Sequence, residues 1–464
     1  MERNPFAVER FRNLPESSLE ETFKNPCIKL PFDGKDVGMF LDRKSGQTKL
    51  RVLDYHHRSA DLGVNTIIQE KDAKRHHVYC QIDLKGSGFQ FPESYESKKS
   101  NVPRGMMSGT PEAYILTGSQ ETPWGYEPMG LMDERSVDFT VKIADRLSAA
   151  GMRTEAVAAV YRLHSLVLDG KEVTTKSFKQ QNIDRIVKMA KAETNKEERA
   201  HLITMARDVR DNFQPVLMVR LMRSVLRVRD LGEESEKIDQ MIAEACQSLN
   251  NEARGLNQLG GYEAETKSGV DRWLLRVGME YGKNLGILQR EGLVHMFLHM
   301  GNVTLAGEVV DLDSISDVLK KKVFTGKPEN KQKWLEKGDE DGPYLGRPSF
   351  RETENGCVFI DPAVGLHQTP DAEFGIPRCL LKDIRDICFS TRGMLKNLKE
   401  KYHPETRRKM SQEFIRGYME GLGEGKAFEQ IGLTKERLIE VCSKMSEELI
   451  ERGGHYSPIP GDDE

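Results

Sequence analysis

The residues best suited to chemistry lie in "GLVHMFLHMGNVTLAGEVVDLDS", residues 292–314. Asn302 and Asp311 are nine positions apart in this stretch. The intervening "VTLAGEVV" predicts a β-hairpin that turns at Ala306 and Gly307, so that the side chains on its two arms can reach one point. An amide oxygen and a carboxylate suit Mg²⁺, the ion that bridges ATP phosphates in phosphoryl and nucleotidyl transfer. The alternative is that both residues serve only the turn, where asparagine and aspartate are common.

A second candidate is "QIDLKGSG", residues 81–88. A strand pattern ends at Lys85, and Gly86 and Gly88 follow it. Glycines allow the backbone to approach phosphate groups closely, which favours a phosphate-binding role for this segment. The alternative is an ordinary lysine at the exposed end of a strand.

Both stretches resemble kinase-like proteins. "LVHMFLHMGNVTLAGEVVDLD" resembles the "LVHGDLHPGN…DFD" loop of aminoglycoside-phosphotransferase-like kinases and is more similar to the corresponding loop of the selenoprotein O family. That family has a kinase-like fold and transfers AMP, rather than phosphate, to protein hydroxyls. "QIDLKGSG" is similar to its "QLKGAG" motif, and "MDERSVDFTVKIADRLSAAGMRT" is similar to the helix that contains its "DGRA" motif. The matches extend discontinuously over about residues 60–310.

This resemblance implies ATP and Mg²⁺ as cofactors and a protein as the substrate. Lys85 matches the phosphate-binding lysine of the family, and Arg135 matches the arginine of "DGRA". The implied cofactor-binding residues are Lys85, Gly86, Gly88 and Arg135, and the implied metal ligands are Asn302 and Asp311.

Two positions depart from these families. Phe297 stands where ordinary kinases of this fold have their base, and Gly301 stands where the selenoprotein O pattern has an aspartate. Asp313 and His299 are therefore the candidate catalytic groups, as a substitute base or, for Asp313, as a further metal ligand. His295 is interpreted as a packing and hydrogen-bonding residue of the loop. Because a general base contributes only about 10²–10⁴-fold, its loss does not exclude slow transfer.

The leading hypothesis is an Mg-ATP-binding, kinase-like protein that transfers AMP to a serine, threonine or tyrosine hydroxyl of a protein. The alternatives are a catalytically inactive pseudokinase that acts as a nucleotide-gated scaffold, and a small-molecule phosphotransferase. The acceptor stays open, as does the acidic residue that would pair with Lys85. Candidates for that residue are Glu134, Asp138 and Asp145.

Composition narrows the class of protein. The chain has 464 residues, 38% of them hydrophobic and 31% charged, which is typical of a soluble protein with two domains or lobes. A net charge of −4 gives no support to nucleic-acid binding. The sequence has no apolar run of about 20 residues and no secretory signal pattern, which indicates neither a membrane span nor export. Seven scattered cysteines favour reduced thiols in the cytoplasm. The oligomeric state stays open.

The order of patterns predicts an α+β protein with a β-rich N-terminal lobe and a helical C-terminal lobe, and the resemblance implies that it is a protein-kinase-like two-lobed fold. Residues 1–25 are interpreted as a lead-in, residues 26–175 as the β-rich lobe with a long insertion at 92–130, and residues 176–464 as the mainly helical lobe, with a second insertion at 326–350. The stretch "VRLMRSVLRVRD" is predicted to form a basic, solvent-facing helix. Its arginines are Arg220, Arg223, Arg227 and Arg229.

Overall fold

The structure is a computed structural model, and the two insertions and the polar N-terminus fall largely outside the part that it describes. Gly88 and residues 31–58 of the predicted β-rich lobe also lie outside the described residues. The described residues are 19–30, 59–61, 68–71, 76–86, 119–122, 125–128, 132–168, 171–233, 237–317, 323–326, 349–353, 356–360, 370–424 and 427–454.

The chain forms two compact units. The first comprises Met1–Ala144 and Ala156–Val225, and the second comprises Asp145–Glu155 and Leu226–Glu464. The first unit is rich in strands and the second in helices, which confirms the predicted α+β class. In the described residues, no helix is both long and apolar enough to cross a bilayer.

Where the structure describes it, the first unit contains short strands and three helices. Its described strands are β1 (Leu19–Lys24), β2 (Ser59–Asp61), β3 (Ile68–Lys71), β4 (His76–Tyr79), β5 (Gln81–Lys85), β6 (Ser119–Thr122), β7 (Gly125–Pro128), β8 (Met132–Asp133), β9 (Ala156–Leu163), β10 (Ser165–Leu168), β11 (Lys171–Thr174) and β12 (Pro215–Met222). Its helices are α1 (Glu134–Ala149), which continues into the second unit, α2 (Thr175–Ala192) and α3 (Lys196–Asp211). The segment read as a lead-in thus contains β1, which pairs with β9.

An antiparallel sheet with strand order β1–β9–β12–β5–β2 organises the first unit, and β8 pairs with β12. The central strand β12 is buried along its whole length. Leu217 and Val219 share a core cluster with Phe178 of α2 and Leu202 of α3, on one face of the sheet. Val216 and Met218 lie in a different cluster, with Val137 of α1. Because both faces are covered, β12 is apolar at nearly every position rather than at alternate ones.

The helix predicted over "VRLMRSVLRVRD" is wrong. Residues 215–222 form β12, and Arg220, Arg223 and Arg227 are buried rather than solvent-facing. Arginines at intervals of three and four mimic a helical face, whereas Arg220 lies opposite Asp83 in the β12–β5 register and donates from Nε to Asp83 Oδ2 at 2.5 Å. A buried partner on another strand cannot be read from periodicity.

The second unit is mainly helical. Its described helices are α4 (Asp230–Glu233), α5 (Ile238–Gly255), α6 (Lys267–Arg290), α7 (Arg378–Asn397), α8 (Thr406–Leu422) and α9 (Lys435–Ser446). Its described strands are β13 (Leu293–Val294), β14 (Ser316–Asp317), β15 (Val323–Gly326), β16 (Ser349–Thr353) and β17 (Gly356–Ile360). Helices α6 and α8 approach each other so closely that a Cβ atom on Gly282 would overlap with the backbone oxygen of Phe414. This close pairing fixes the helix that leads into residues 292–314.

Candidate functional site

Residues 292–314 follow α6 and begin with a sharp change of direction. Gly292 has φ +73°, and its N–H donates to Gln289 O, which ends the helix. Strand β13 then pairs with β14, so both ends of the loop are joined. The two ends of the loop are therefore held together by backbone pairing.

The predicted hairpin is present as a tight turn with one antiparallel bridge, between Val303 and Val309. Gly307 has φ +82°, as the predicted turn requires, and Val310 N donates to Asn302 O at 3.0 Å. Helix α6 holds the turn through Tyr281, whose hydroxyl donates to Thr304 O at 2.6 Å. The turn is thus a rigid part of the second unit.

Asp383 of α7 fixes the start of the loop. Its two carboxylate oxygens accept the backbone N–H groups of His295 at 2.6 Å and Met296 at 2.7 Å. Met296 has φ +67°, a strained value for a residue with a side chain, and this clamp supports it. Burial raises the pKa of Asp383 to about 7, against the lowering effect of the His295 N–H.

His295 is fully buried and supports the loop from inside. Burial lowers its pKa, so the neutral ring predominates at pH 7. In that state Nε2–H donates to Val310 O at 2.9 Å, and Nδ1 accepts from the Ser314 hydroxyl at 3.1 Å. Both ring nitrogens are used, in agreement with the interpretation of His295 as a packing and hydrogen-bonding residue.

The side chains of Asn302 and Asp311 converge, as the hairpin predicts. Arg227 Nη1 lies 3.5 Å from Asn302 Oδ1 and 3.3 Å from Asp311 Oδ2, and it also donates to Gly301 O. One guanidinium nitrogen therefore contacts both oxygens that were predicted to bind a metal. Asp311 has φ +62°, a left-handed conformation that aspartate tolerates better than most residues.

These residues do not fit a resident Mg²⁺ ion as they stand. A guanidinium beside Asn302 and Asp311 places a positive charge where the ion would be, and two cations at that separation repel each other. The assignment of Asn302 and Asp311 as metal ligands stays a prediction, and it requires Arg227 to move.

His299 is not arranged as a base, whereas the catalytic role of Asp313 stays a prediction. His299 Nδ1 accepts the Gly301 N–H at 3.1 Å, which leaves the proton on Nε2 and no free lone pair on the ring. Loss of hydration, followed by the charge of Arg229, lowers the pKa of His299 to about 4. Asp313 is partly buried in a 3₁₀ turn immediately after Asp311. Phe297 is exposed.

In the first unit, Lys85 is the last residue of β5 and is 5% exposed, so it is not an ordinary exposed lysine. Lys85 lies opposite Met218 in the β12–β5 register and therefore points to the face that α1 covers. Gly86 has φ +90°, and a Cβ atom there would overlap with Val216 O. The glycine is thus required by the backbone itself, and a phosphate-binding role for it stays a prediction.

Two other predicted groups in the first unit already have partners. Arg135 Nε donates to Asp133 Oδ2 at 2.8 Å. Glu134, a candidate partner for Lys85, accepts from Arg162 Nη2 at 2.7 and 2.9 Å. A phosphate contact by Arg135 stays a prediction, and it would compete with this carboxylate.

Sequence reasoning missed Arg227 and Asp383. Arg227 carried no signal of its own, because it sat in a run of arginines that was read as one helical face. Asp383 had a usable signal. It lies among Leu380, Ile384 and Ile387 on the buried face of α7, and a carboxylate in an apolar stripe needs buried donors.

Comparisons with known proteins add one distant similarity. No protein-family profile matches this chain, and no curated protein matches it. Among solved structures, it is similar to the crystal structure of a Toxoplasma gondii specific rhoptry antigen kinase domain. The identity is 10%, the TM-score is 0.27, and the alignment covers 87% of this chain and 88% of that chain. A TM-score of that size carries no argument about fold or function, and the α+β class rests on the elements described above.

Proposed function

We propose that this chain is a kinase-like, nucleotide-binding protein that acts as a nucleotide-gated scaffold rather than as a transferase. The observation that carries the proposal is the contact of Arg227 Nη1 with Asn302 Oδ1 and Asp311 Oδ2. A transferase of this type needs a cation on those oxygens to bridge the phosphates. Here the chain supplies an arginine, and the two positions for a carboxylate base hold Phe297 and Gly301.

The nucleotide part of the proposal rests on "QIDLKGSG" and on the resemblance that this segment carries. Lys85 is buried at a strand end, on the face of the sheet that α1 covers. The partner of such a scaffold would be another protein.

The first test is the melting temperature of the purified chain with ATP, with and without Mg²⁺. We expect ATP to stabilise the protein in both conditions, by about 2.7 kcal/mol at a hundredfold excess over Kd. Lys85→Met should abolish this shift. Lys142→Met, an identical change at an exposed position of α1, is the matched control and should retain it. No shift in the wild type would reject nucleotide binding.

The second test separates the scaffold from an enzyme. The wild type is incubated with ATP labelled at the α or the γ phosphate, Mg²⁺ and a protein extract. We expect no label on protein. Label from the α phosphate that is lost in Asp311→Asn would reject the scaffold and support AMP transfer to a protein hydroxyl. Label from the γ phosphate, on protein or on a small molecule, would indicate a phosphotransferase.

AMP transfer is the second candidate, and one observation favours it. Asn302 and Asp311 keep the spacing of the selenoprotein O pattern, and their side-chain oxygens do reach one point. An enzyme built on that pair needs Arg227 to leave before a metal binds.

A further inference from the structure

Arg227 is placed at the loop by its own backbone and not by chance contact of a long side chain. The segment that begins at Leu226 runs antiparallel to the loop, with a bridge between Arg227 and Thr304. Leu305 N donates to Leu226 O at 2.8 Å, and Val228 N donates to Val303 O at 3.1 Å. The backbone N–H of Arg227 also donates to Asp230 Oδ2 at 2.7 Å. The guanidinium therefore starts from a fixed point.

The side chain of Arg227 is buried, with 3% of it exposed. Its Nη1 reaches Gly301 O, Asn302 Oδ1 and Asp311 Oδ2. Its Nε is buried without a hydrogen-bond partner. The side chain therefore leaves one buried donor, Nε, unused and places another, Nη1, among three oxygens. We interpret the guanidinium as the counter-ion of those oxygens.

The three acceptors form the kind of set that a hard cation takes. They are a backbone carbonyl, an amide oxygen and a carboxylate, all on one loop. Asp311 is 19% exposed and has a left-handed backbone, with φ +62°, and its carboxylate contacts the same guanidinium nitrogen as the other two oxygens. The loop geometry is thus built around a positive charge.

We propose that Arg227 is a built-in cation that takes the place of a divalent metal ion at Asn302 and Asp311, so that metal and arginine compete for the same oxygens. Removal of its charge should open a site for a small divalent ion, with Asn302 Oδ1, Asp311 Oδ2 and Gly301 O as ligands. The inference concerns the same loop as the proposed function. Its test needs no nucleotide, so the two can fail separately.

The experiment titrates Mn²⁺ alone into the purified full chain and follows the free ion by electron paramagnetic resonance. Mn²⁺ accepts the same oxygen ligands as Mg²⁺ and gives a direct signal. We expect Arg227→Met to bind about one Mn²⁺ per chain at least about tenfold more tightly than the wild type, because a repelling charge has been removed. Arg227→Met/Asp311→Asn should return to the wild-type level. Asparagine tolerates the left-handed backbone at position 311, so this change removes mainly charge.

Two controls keep the result specific. Arg272→Met, an identical change at an exposed arginine of α6, should bind Mn²⁺ as the wild type does. Arg227→Gln is a second neutral variant, whose amide can still donate to Gly301 O. A melting curve for each variant shows that it is folded.

The proposal is overturned if either neutral variant is folded and gains no Mn²⁺ affinity, or if the gain survives Asp311→Asn. If neither neutral variant folds, the wild type and Asp311→Asn decide the question. Equal, weak Mn²⁺ binding by both supports an arginine at the site, whereas tight binding by the wild type that Asp311→Asn removes overturns it.

Discussion

Arg220 and Arg227 lie seven residues apart, and the guanidinium of each reaches an aspartate from a buried position, but the two contacts differ in kind. Arg220 and Asp83 face each other on paired strands, at 2.5 Å, and both side chains are almost fully buried. Arg227 lies 3.3 Å from Asp311, whose carboxylate is partly exposed and shares the guanidinium with two other oxygens. Strand pairing holds Arg220 against Asp83, so the first pair is structural. The carboxylate of Asp311 is accessible to water, so another cation can compete with Arg227 for it.

The largest loss of stability is expected for the buried pair, Arg220 and Asp83. Arg220→Met leaves the Asp83 carboxylate buried without its partner and should lower the free energy of unfolding by about 3–5 kcal/mol. Urea denaturation measures this. Replacing both residues, as Arg220→Met/Asp83→Leu, should restore most of the loss, because the unpaired Asp83 charge is then also removed. A cost below about 1 kcal/mol for the single change would contradict the comparison.

The second prediction concerns Asp383, which accepts the N–H groups of His295 and Met296 at the start of the loop. At pH 5 the folded wild type holds a proton on Asp383, and Asp383→Asn replaces one of its two acceptor oxygens with an amide NH₂ that cannot accept, which should cost about 1–3 kcal/mol. The wild type should also show a pH dependence. The pKa of Asp383 is raised to about 7 in the folded state, above its usual value near 3.9, so the folded state holds this proton more tightly.

The stability that this proton contributes is therefore present below about pH 4 and is lost as the pH rises through about 7. Denaturation curves at several pH values measure it, and Asp383→Asn should flatten that part of the profile. Stability that instead rises between these pH values, with the rise absent in Asp383→Asn, would show that the two N–H groups outweigh burial.

A smaller loss of stability is expected at the partly exposed contact between Arg227 and Asp311. Arg227→Met should lower the free energy of unfolding by about 1–2 kcal/mol, which is below the cost of Arg220→Met. The Asp311 carboxylate can regain water, whereas that of Asp83 cannot, since the two side chains are 19% and 4% exposed. The same urea series measures both variants, and equal costs would remove the distinction between a structural and an exchangeable arginine.

The smallest change in stability is expected for His299, which lies at the surface with part of its ring shielded from water. His299→Ala should change the free energy of unfolding by no more than about 0.5 kcal/mol. With a pKa lowered to about 4, the ring should also stay neutral between about pH 5.5 and 8. Chemical shifts of the ring protons in a nuclear magnetic resonance titration measure this. A midpoint near 6.5 would show that neither lost hydration nor Arg229 affects this ring.

Local patterns were sufficient for much of the fold. Helix α1 begins and ends close to the predicted residues, because Gly151, with φ +89°, stops it and its apolar positions repeat at helical spacing. Strand β5 ends at Lys85, as the strand pattern in "QIDLKGSG" predicts. The sequence predicts a helix over part of β12 because burial on both faces removes the alternation of apolar and polar residues that marks a strand. Arginines spaced by three and four residues then match one face of a helix.

The sequence by itself determined the turn at Gly307 and the nine-residue separation that brings Asn302 and Asp311 together, because both depend on neighbouring residues alone. Only the tertiary structure decided what those side chains meet. Arg227 comes to Asn302 from 75 positions away, and Asp383 reaches His295 from 88 positions away. Contacts between residues so far apart produce no periodic pattern in the sequence, because they depend on how helices, strands and loops pack and not on spacing along the chain.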